Sequence, residues 1–121
     1  MKINSLTPVM WVENIQKTVN YYEHTLGFKP VNYEEGSGWA VVMRDNVEIM
    51  FALPNDHISF GGSGFTGSFY LNTDDVDQWW QLLKGTAEIF YEIENFEYGM
   101  REFAIKDCNG FILQFGQPVN E

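Results

Sequence analysis

The chain carries one pattern twice: a strand, a capped amphipathic helix that ends near a glycine, and three strands that close on a polar turn. The first copy opens with a strand at residues 6–12 and the second with a strand at residues 68–73. Asn14 and Asp75 stand at matching places, where a side-chain oxygen can cap the helix that follows. One copy is too small to bury its own apolar face, so the two must share a sheet or pair with the copies of another chain.

Each copy predicts one helix and three further strands. Apolar residues at the 3.6-residue period predict helices that end near Gly27 and Gly85. The buried stripes are Ile15, Val19, Tyr22 and Leu26 in the first helix (residues 15–26), and Val76, Trp79, Trp80 and Leu83 in the second. Strands are expected at residues 28–34, 39–44 and 47–53 in the first copy, and at residues 88–94, 100–106 and 111–115 in the second.

The linear organisation is a single domain, residues 1–121, made of two modules. Module 1 covers about residues 1–54 and module 2 about residues 68–121. The glycine-rich residues 55–67 between them predict a connector, which would also allow modules of different chains to pair. Asp45-Asn46 predicts the hairpin turn of the first module.

Composition narrows the possible partners. The chain has 17 acidic and 7 basic side chains, a formal net charge of -10, so we expect no binding to nucleic acid and a preference for cationic ligands. Its single cysteine, Cys108, excludes an internal disulfide and favours a reducing compartment. No apolar run approaches the roughly 20 residues that span a bilayer. We therefore expect a cytoplasmic protein without a membrane partner.

Several segments resemble one family. Val12-Glu13-Asn14-Ile15 opens the first helix and Leu26-Gly27-Phe28 closes it, around Tyr21-Tyr22. With the duplication, this pattern resembles the vicinal oxygen chelate superfamily, which includes glyoxalase I, ring-cleaving dioxygenases, fosfomycin-resistance enzymes and bleomycin-binding proteins. Residues 98–107, Tyr-Gly-Met-Arg-Glu-Phe-Ala-Ile-Lys-Asp, and residues 41–47 are most similar to the bleomycin-resistance branch. Cys108 departs from it, because the family's last turn usually has proline there.

The resemblance implies an α+β fold in which two tandem βαβββ modules form a curved mixed sheet around a cavity, with the helices outside. Strand alternation then predicts which side chains face inward. These are Thr7, Val9, Trp11, Glu48 and Met50 in the first module, and Ser68, Tyr70, Asn72, Ile112 and Gln114 in the second. Arg101 and Glu102 alternate across their strand, so only one of them faces the cavity, and the sequence does not choose between them.

Metal enzymes of the superfamily hold their ion at four places, on the first and last strands of each module. Here those places carry Thr7, Met50, Ser68 and Gln114. Hydroxyls and a thioether are weak ligands for Zn, Fe, Mn or Ni, and one amide cannot supply the usual three protein ligands. His24, near the first helix end, and His57, in the connector, do not replace them. We therefore expect no metal, no cofactor and no catalytic residue.

The resemblance then predicts a metal-free protein that binds a drug-like, aromatic and cationic small molecule, as bleomycin-resistance proteins sequester antibiotics. By that analogy it forms a homodimer, with or without module exchange. Aromatic rings suit flat ligands and bind cations through their faces. The candidate ligand-binding residues are Trp11, Trp39, Glu48, Met50, Phe60, Tyr70, Asn72, Arg101 and Gln114. Phe60 is expected to cover the cavity mouth.

Two alternatives stay open at this point. The first is a metal-dependent enzyme of the superfamily, a glyoxalase-type lyase or isomerase or a dioxygenase, whose ligands lie on other residues because the strand phase differs. The second is a sensor module for an unrelated small aromatic compound. Metal content after purification separates the first from a binding protein, and the breadth of compounds bound separates the second.

Overall fold

The computed structural model describes residues 1–2, 4–56, 59–64 and 67–119. The chain divides into two compact units, Met1–Ser63 and Gly64–Glu121. Each unit contains one helix and one four-stranded mixed sheet, so the predicted tandem βαβββ order is confirmed. No helix among the described residues is both long and apolar enough to cross a membrane.

The first unit contains β1 (Val9–Trp11), α1 (Ile15–His24), β2 (Lys29–Tyr33), β3 (Trp39–Arg44) and β4 (Val47–Ala52). Its sheet has the order β1-β4-β3-β2, in which β1 runs parallel to β4 and the other pairs are antiparallel. The turn at Asp45 places that residue at a φ of 51°, a left-handed conformation that Asp tolerates better than most residues. The hairpin prediction at Asp45-Asn46 is therefore confirmed.

The second unit repeats this order with β5 (Ser68–Asn72), α2 (Val76–Leu83), β6 (Glu88–Asn95), β7 (Met100–Lys106) and β8 (Ile112–Pro118). Its sheet has the order β5-β8-β7-β6, with β5 parallel to β8. Strand β8 extends beyond the predicted end at residue 115, because Met100 of β7 pairs with Pro118.

Both helix caps form as predicted. The Asn14 side chain accepts a hydrogen bond from the Lys17 backbone N–H at 3.0 Å, and the Asp75 side chain accepts one from Gln78 at 3.1 Å. Each bond satisfies one of the backbone donors that a helix start leaves unpaired. Helix α1 ends at His24, before the predicted end at Leu26, although Leu26 is fully buried.

Strand β1 is also shorter than predicted, since it begins at Val9 and not at residue 6. Pro8 has no backbone N–H and cannot donate to the ladder, although its carbonyl accepts from Met50 N at 2.9 Å. Leu6 is exposed. The strand therefore starts at the first residue that can both donate and accept.

The core of each unit lies between its helix and one face of its sheet. In the first unit the ring of Tyr22 on α1 lies 4.8 Å from that of Phe51 on β4. In the second, Trp79 of α2 lies 4.9 Å from Phe115, and Trp80 lies 5.2 Å from Phe103. Because side chains alternate along a strand, these contacts fix which residues lie on the opposite face of each sheet.

Candidate functional site

The face of the second sheet that points away from α2 carries a connected set of polar side chains. Phe103 and Phe115 point toward α2, so Glu102 on β7 and Gln114 on β8 point to the other side. Tyr70 on β5 pairs with Gln114 in the parallel register and shares this face. This brings three strands' polar residues into hydrogen-bonding reach of one another.

Glu102 is the centre of this set. Its side chain is only 1% exposed, and both carboxylate oxygens accept hydrogen bonds from phenols. The Tyr70 hydroxyl donates to Oε1 at 2.9 Å, and the Tyr91 hydroxyl donates to Oε2. Among the described residues no Lys or Arg forms an ion pair with Glu102. This carboxylate is thus held away from water by neutral donors, without a cationic partner.

Tyr70 reaches Glu102 by crossing β8 at Gly116. Gly116 is the residue paired with Glu102, and a Cβ placed on it would lie 2.0 Å from the Tyr70 hydroxyl oxygen. Only glycine leaves room for the phenol to lie across the strand. The glycine therefore allows a residue of the edge strand β5 to bond one on β7, two strands away.

The hydrogen-bond chain continues from Tyr91 toward the edge of the sheet. Gln114 Nε2 donates to the Tyr91 hydroxyl at 3.0 Å, and Ser68 Oγ donates to Gln114 Oε1 at 2.7 Å. Gln114 thereby both donates and accepts within the network, as does the Tyr91 hydroxyl. The bonds order the five side chains into one connected network, which fixes their positions.

The pKa values of the cluster's tyrosines are set by burial and by hydrogen bonding to Glu102. Burial and hydrogen bonding to Glu102 raise the pKa of Tyr91 to about 12. The same two causes raise the pKa of Tyr70 further above its usual value. Desolvation and hydrogen bonding to Glu102 also raise the pKa of Tyr98, although its side chain is 61% exposed. The phenols therefore stay neutral donors over the physiological pH range.

Aromatic rings extend the cluster on β6 and the turn that follows it. The Tyr91 ring meets Phe96 edge-on at 5.6 Å, and Phe96 stacks on Tyr98 at 5.4 Å. Near the other end of β6, Lys106 Nζ lies 5.4 Å from the ring centre of Phe90. We define the tyrosine–carboxylate cluster as Tyr70, Tyr91, Tyr98 and Glu102.

The matching face of the first sheet is mostly apolar. Buried Ala40 and Val42 lie on the α1 side of β3, so Trp39, Val41 and Met43 lie on the other. Val9 and Met50 pair on that same face. Its polar contact is a 2.7 Å hydrogen bond from Thr7 Oγ1 to Glu48 Oε1. Unlike Glu102, Glu48 is half-buried.

Residues around Trp11 form a second feature of the first unit. The Phe60 ring meets Trp11 edge-on at 5.8 Å, and Ser63 Oγ donates to the Trp11 carbonyl at 2.9 Å. The connector is therefore anchored to β1 within this unit. Both rings are half-buried.

The structure joins some of the predicted site residues and separates others. Tyr70 and Gln114 belong to one network, Trp11 contacts Phe60, and Glu48 bonds Thr7. The remaining three on these faces are Trp39, Met50 and exposed Asn72. His24 is exposed beside Glu23, and His57 lies outside the described residues.

Arg101 is a correction to the predicted set. Its guanidinium bonds Asp77 of α2, with Nη2 at 2.9 Å from Oδ1, and donates to Asn95 at 3.0 Å. It therefore lies on the helix side of β7, because Phe103 two residues on also points there. Glu102 takes the opposite face, which settles the choice that the sequence left open.

Sequence reasoning left Glu102 open as the alternative to Arg101, and it missed Tyr91 and Tyr98 as members of the site. The signal for Glu102 was its position next to the apolar Phe103, since neighbouring residues of a strand point to opposite faces. This signal identifies the face of Glu102 only once the face of Phe103 is known. Tyr91 carried a weaker signal, because β6 contains register shifts between Ile89 and Tyr91 and again before Glu94. Such irregularities break the simple alternation from which a face is predicted.

The donors at the four family metal positions do not fit a divalent ion. In the first unit Thr7 Oγ1 is bonded to Glu48, and Met50 offers only a thioether. In the second, Ser68 and Gln114 bond each other, and the Gln114 amide also bonds Tyr91. No group of three or more His, Cys, Asp or Glu within the described part of the chain is arranged to hold a metal. Neutral oxygens and a thioether are a poor donor set for such ions.

Comparisons with known proteins place these features in context. The family model described as "Glyoxalase/Bleomycin resistance protein/Dioxygenase superfamily" matches residues 2–115. No curated protein sequence matches the chain significantly. Among solved structures, the chain is similar to TnmS3, an antibiotic binding protein from Streptomyces sp. CB03234, with a TM-score of 0.79, 21% identity, and coverage of 98% of this chain and 99% of that one.

Two further structures give the same result. A protein of unknown function from Agrobacterium tumefaciens str. C58 has a TM-score of 0.78 and 18% identity, with 98% and 97% of the two chains covered. A superfamily member from Sphaerobacter thermophilus DSM 20745 has a TM-score of 0.78 and 18% identity, with 96% and 98% covered. At these identities the likeness demonstrates the fold, while the ligand must be argued from the residues.

Proposed function

Because the chain belongs to the Glyoxalase/Bleomycin resistance protein/Dioxygenase superfamily, we propose that it sequesters a flat, aromatic, cationic small molecule without the help of a metal ion. In this reading it works as the bleomycin-resistance proteins do, by affinity alone. Sequestration needs no nucleophile, base or bound ion. The protein's task is then to present a shaped surface of rings and a few polar groups.

One observation carries the proposal: side-chain donors at the superfamily's metal positions are already bonded to protein groups. Thr7 bonds Glu48 at 2.7 Å, and Ser68 bonds Gln114 at 2.7 Å. An ion would have to break these bonds and would receive only neutral oxygens and a thioether in return. The superfamily's metal chemistry uses the ion as a Lewis acid, so this residue set favours a binding role.

The same faces offer what a flat ligand requires. Tyr70 and Tyr98 present partly exposed rings in the second unit, and the Trp11–Phe60 pair presents rings in the first. Aromatic rings stack on planar compounds and attract cations. The net charge of -10 would further raise the local concentration of a cationic ligand.

The likeness to TnmS3, whose description is that of an antibiotic binding protein, supports the same class of function. We extend the proposal to a homodimer, with or without exchange of modules. A bleomycin-type drug is the first ligand to test, because such drugs combine flat heterocycles with a cationic tail. The ligand class, the homodimer and the drug are tested by separate measurements.

The central experiment is a thermal unfolding titration with metal-free bleomycin and a panel of flat compounds, at fixed salt and protein concentration. A ligand in hundredfold excess over its Kd should raise stability by about 2.7 kcal/mol. Metal content is measured on the same sample, purified without chelator. Sedimentation with and without ligand reports the oligomeric state.

Each outcome has a separate meaning. Saturable stabilisation by bleomycin would support the drug-binding branch, whereas stabilisation by other flat compounds only would favour a sensor for a different aromatic ligand. A stoichiometric divalent ion would contradict the proposal in favour of a metal-dependent enzyme. No stabilisation by any flat compound would also contradict it.

A further inference from the structure

We infer that the Glu102 carboxylate is the element that makes this site select a cation, acting from behind the tyrosine rings that the ligand touches. The inference rests on the proposed binding function and names the residue that sets its charge preference. Glu102 is absent from the residues that the sequence singled out for ligand contact. Its role is that of a positioning and charge-determining residue, since the carboxylate itself is buried.

The first step of the argument is the layering of the cluster. Glu102 is 1% exposed, whereas Tyr70 is 36% and Tyr98 is 61% exposed. The Glu102 carboxylate therefore lies beneath the surface, and the tyrosine rings lie between it and the solvent. A ligand that reaches this face meets the rings of Tyr70 and Tyr98 before it meets the carboxylate.

The second step is that, within the described part of the chain, no Lys or Arg pairs with the Glu102 carboxylate. Glu102 receives phenol hydrogen bonds from Tyr70 and Tyr91, which satisfy its oxygens without adding positive charge. Arg101, next in sequence, is engaged with Asp77 on the other side of the sheet. Lys106, on the same face of β7, lies 4.0 Å from Glu88, and the residue paired with Glu102 on β6 is another acid, Glu94. A buried carboxylate charge makes the potential above it more negative, because little solvent screens it.

The third step is the effect on the rings. A phenol that donates its hydrogen to a carboxylate has a more electron-rich ring, and ring faces attract cations through that electron density. Burial first, and then the hydrogen bond and charge of Glu102, raise the pKa values of Tyr70 and Tyr98. The ring faces and the carboxylate therefore both favour a cationic ligand. A neutral ligand of equal shape would gain the stacking but not the electrostatic part.

The test compares two probes of nearly equal shape that differ in charge, 1-methylquinolinium and 1-methylnaphthalene. Their Kd values are measured by equilibrium dialysis at fixed salt. We expect the wild-type protein to bind the cation about tenfold more tightly, the size of a cation–π contribution. Glu102→Gln keeps the shape of the side chain and should bring the two Kd values close together.

Glu92→Gln is the matched control, since it removes the same unit of charge from an exposed residue of β6. It should leave the preference unchanged if the local carboxylate decides it. Tyr98→Leu provides a second variant that does not depend on the buried site, because Tyr98 is mostly exposed. It should reduce binding of the cation several-fold while the fold, checked by circular dichroism, is retained.

The results separate this inference from the proposed function. Equal binding of both probes by the wild-type protein, or an undiminished preference in Glu102→Gln, overturns the inference alone. An equal loss of preference in Glu92→Gln also overturns it, because net charge would then be the cause. If neither probe binds at millimolar concentration, the proposed binding function fails and the inference fails with it.

Discussion

The two units are alike where helix meets sheet and differ on the opposite sheet face. Val12 N bonds the Ala52 carbonyl and Thr73 N bonds the Gly116 carbonyl, both at 3.0 Å, so the chain leaves β1 and β5 in the same way. Phe51 and the residue that corresponds to it, Phe115, are both buried under the helix. Packing requirements therefore constrain this side of both units equally.

On the opposite face the corresponding residues have different chemistry. The strand registers pair Trp39 with Ala52 in the first unit and Glu102 with Gly116 in the second. The same registers match apolar Val9 and Met50 with polar Tyr70 and Gln114. The fold can be built with either set, so the difference lies in what each face can bind. This is why we place the charge-selecting part of the site in the second unit.

The largest expected effect tests the shared side. Phe51→Ala and Phe115→Ala each remove a buried ring from an equivalent position and should each lower the free energy of unfolding by about 3–5 kcal/mol. Urea unfolding followed by tryptophan fluorescence and circular dichroism measures both. Costs that differ by more than about 2 kcal/mol would show that the two cores are not energetically equivalent.

The next effect tests the face that differs. Glu102→Leu leaves the hydroxyls of Tyr70 and Tyr91 without their acceptor, and should lower the free energy of unfolding by about 1–3 kcal/mol. Glu48→Leu, the control in the first unit, removes a half-buried acceptor of one hydroxyl and should cost less than about 1 kcal/mol. Urea unfolding under identical conditions gives the comparison.

A rescue variant sharpens this result. Adding Tyr70→Phe and Tyr91→Phe to Glu102→Leu removes the orphaned donors together with their acceptor, so part of the stability should return. If the triple variant is no more stable than Glu102→Leu, the lost hydrogen bonds are not the source of the destabilisation.

The sequence predicted the fold well because its signals were local and occurred twice. Caps at Asn14 and Asp75, apolar stripes and the turn at Asp45-Asn46 each depend on neighbouring residues only. The strand ends were less accurate, since Pro8 shortened β1 and long-range pairing extended β8 to Pro118. Pairing between distant strands leaves no local trace in the sequence.

The candidate site was predicted only in part, for a related reason. Tyr70 and Gln114 followed from simple alternation, but the bond between Tyr70 and Glu102 crosses β8 and depends on the missing side chain of Gly116. Tyr91 lies on a strand with two register shifts. A network that spans four strands requires the three-dimensional register, and the choice between Arg101 and Glu102 depended on a strand phase that the sequence left open.

Alkaline pH should affect the second unit through Tyr70 and Tyr91. The pKa of Tyr91 is about 12 and that of Tyr70 is also raised above the usual value near 10, so the folded state holds these protons more tightly than the unfolded state. Their contribution to stability is complete below about pH 10 and is lost as the pH rises through the folded-state pKa. The loss is at most about 1.4 kcal/mol per pH unit for each tyrosine.

Chemical denaturation across this pH range measures that slope, with Glu102→Gln as the control. Removing the charge should lower both tyrosine pKa values and flatten the dependence above pH 10. An equally steep decline in Glu102→Gln would assign the effect to groups outside the tyrosine–carboxylate cluster.

The smallest expected effect concerns corresponding residues of the two sheets, Ala52 in the first and Gly116 in the second. In Gly116→Ala the new Cβ must displace the Tyr70 hydroxyl, which would lie 2.0 Å away. The lost hydrogen bond costs about 0.5–1.5 kcal/mol, and the alanine regains about 0.5–1 kcal/mol of backbone entropy, so the net change should be under about 1 kcal/mol. Ala52→Gly, the reciprocal change, has only the entropic term and should be destabilising by about 0.5–1 kcal/mol. Tyrosinate absorbance separates the two variants even where their stabilities agree. One tyrosine should titrate at lower pH in Gly116→Ala, and no tyrosine pKa should change in Ala52→Gly. An unchanged titration in Gly116→Ala would mean that Tyr70 does not depend on this glycine to reach Glu102.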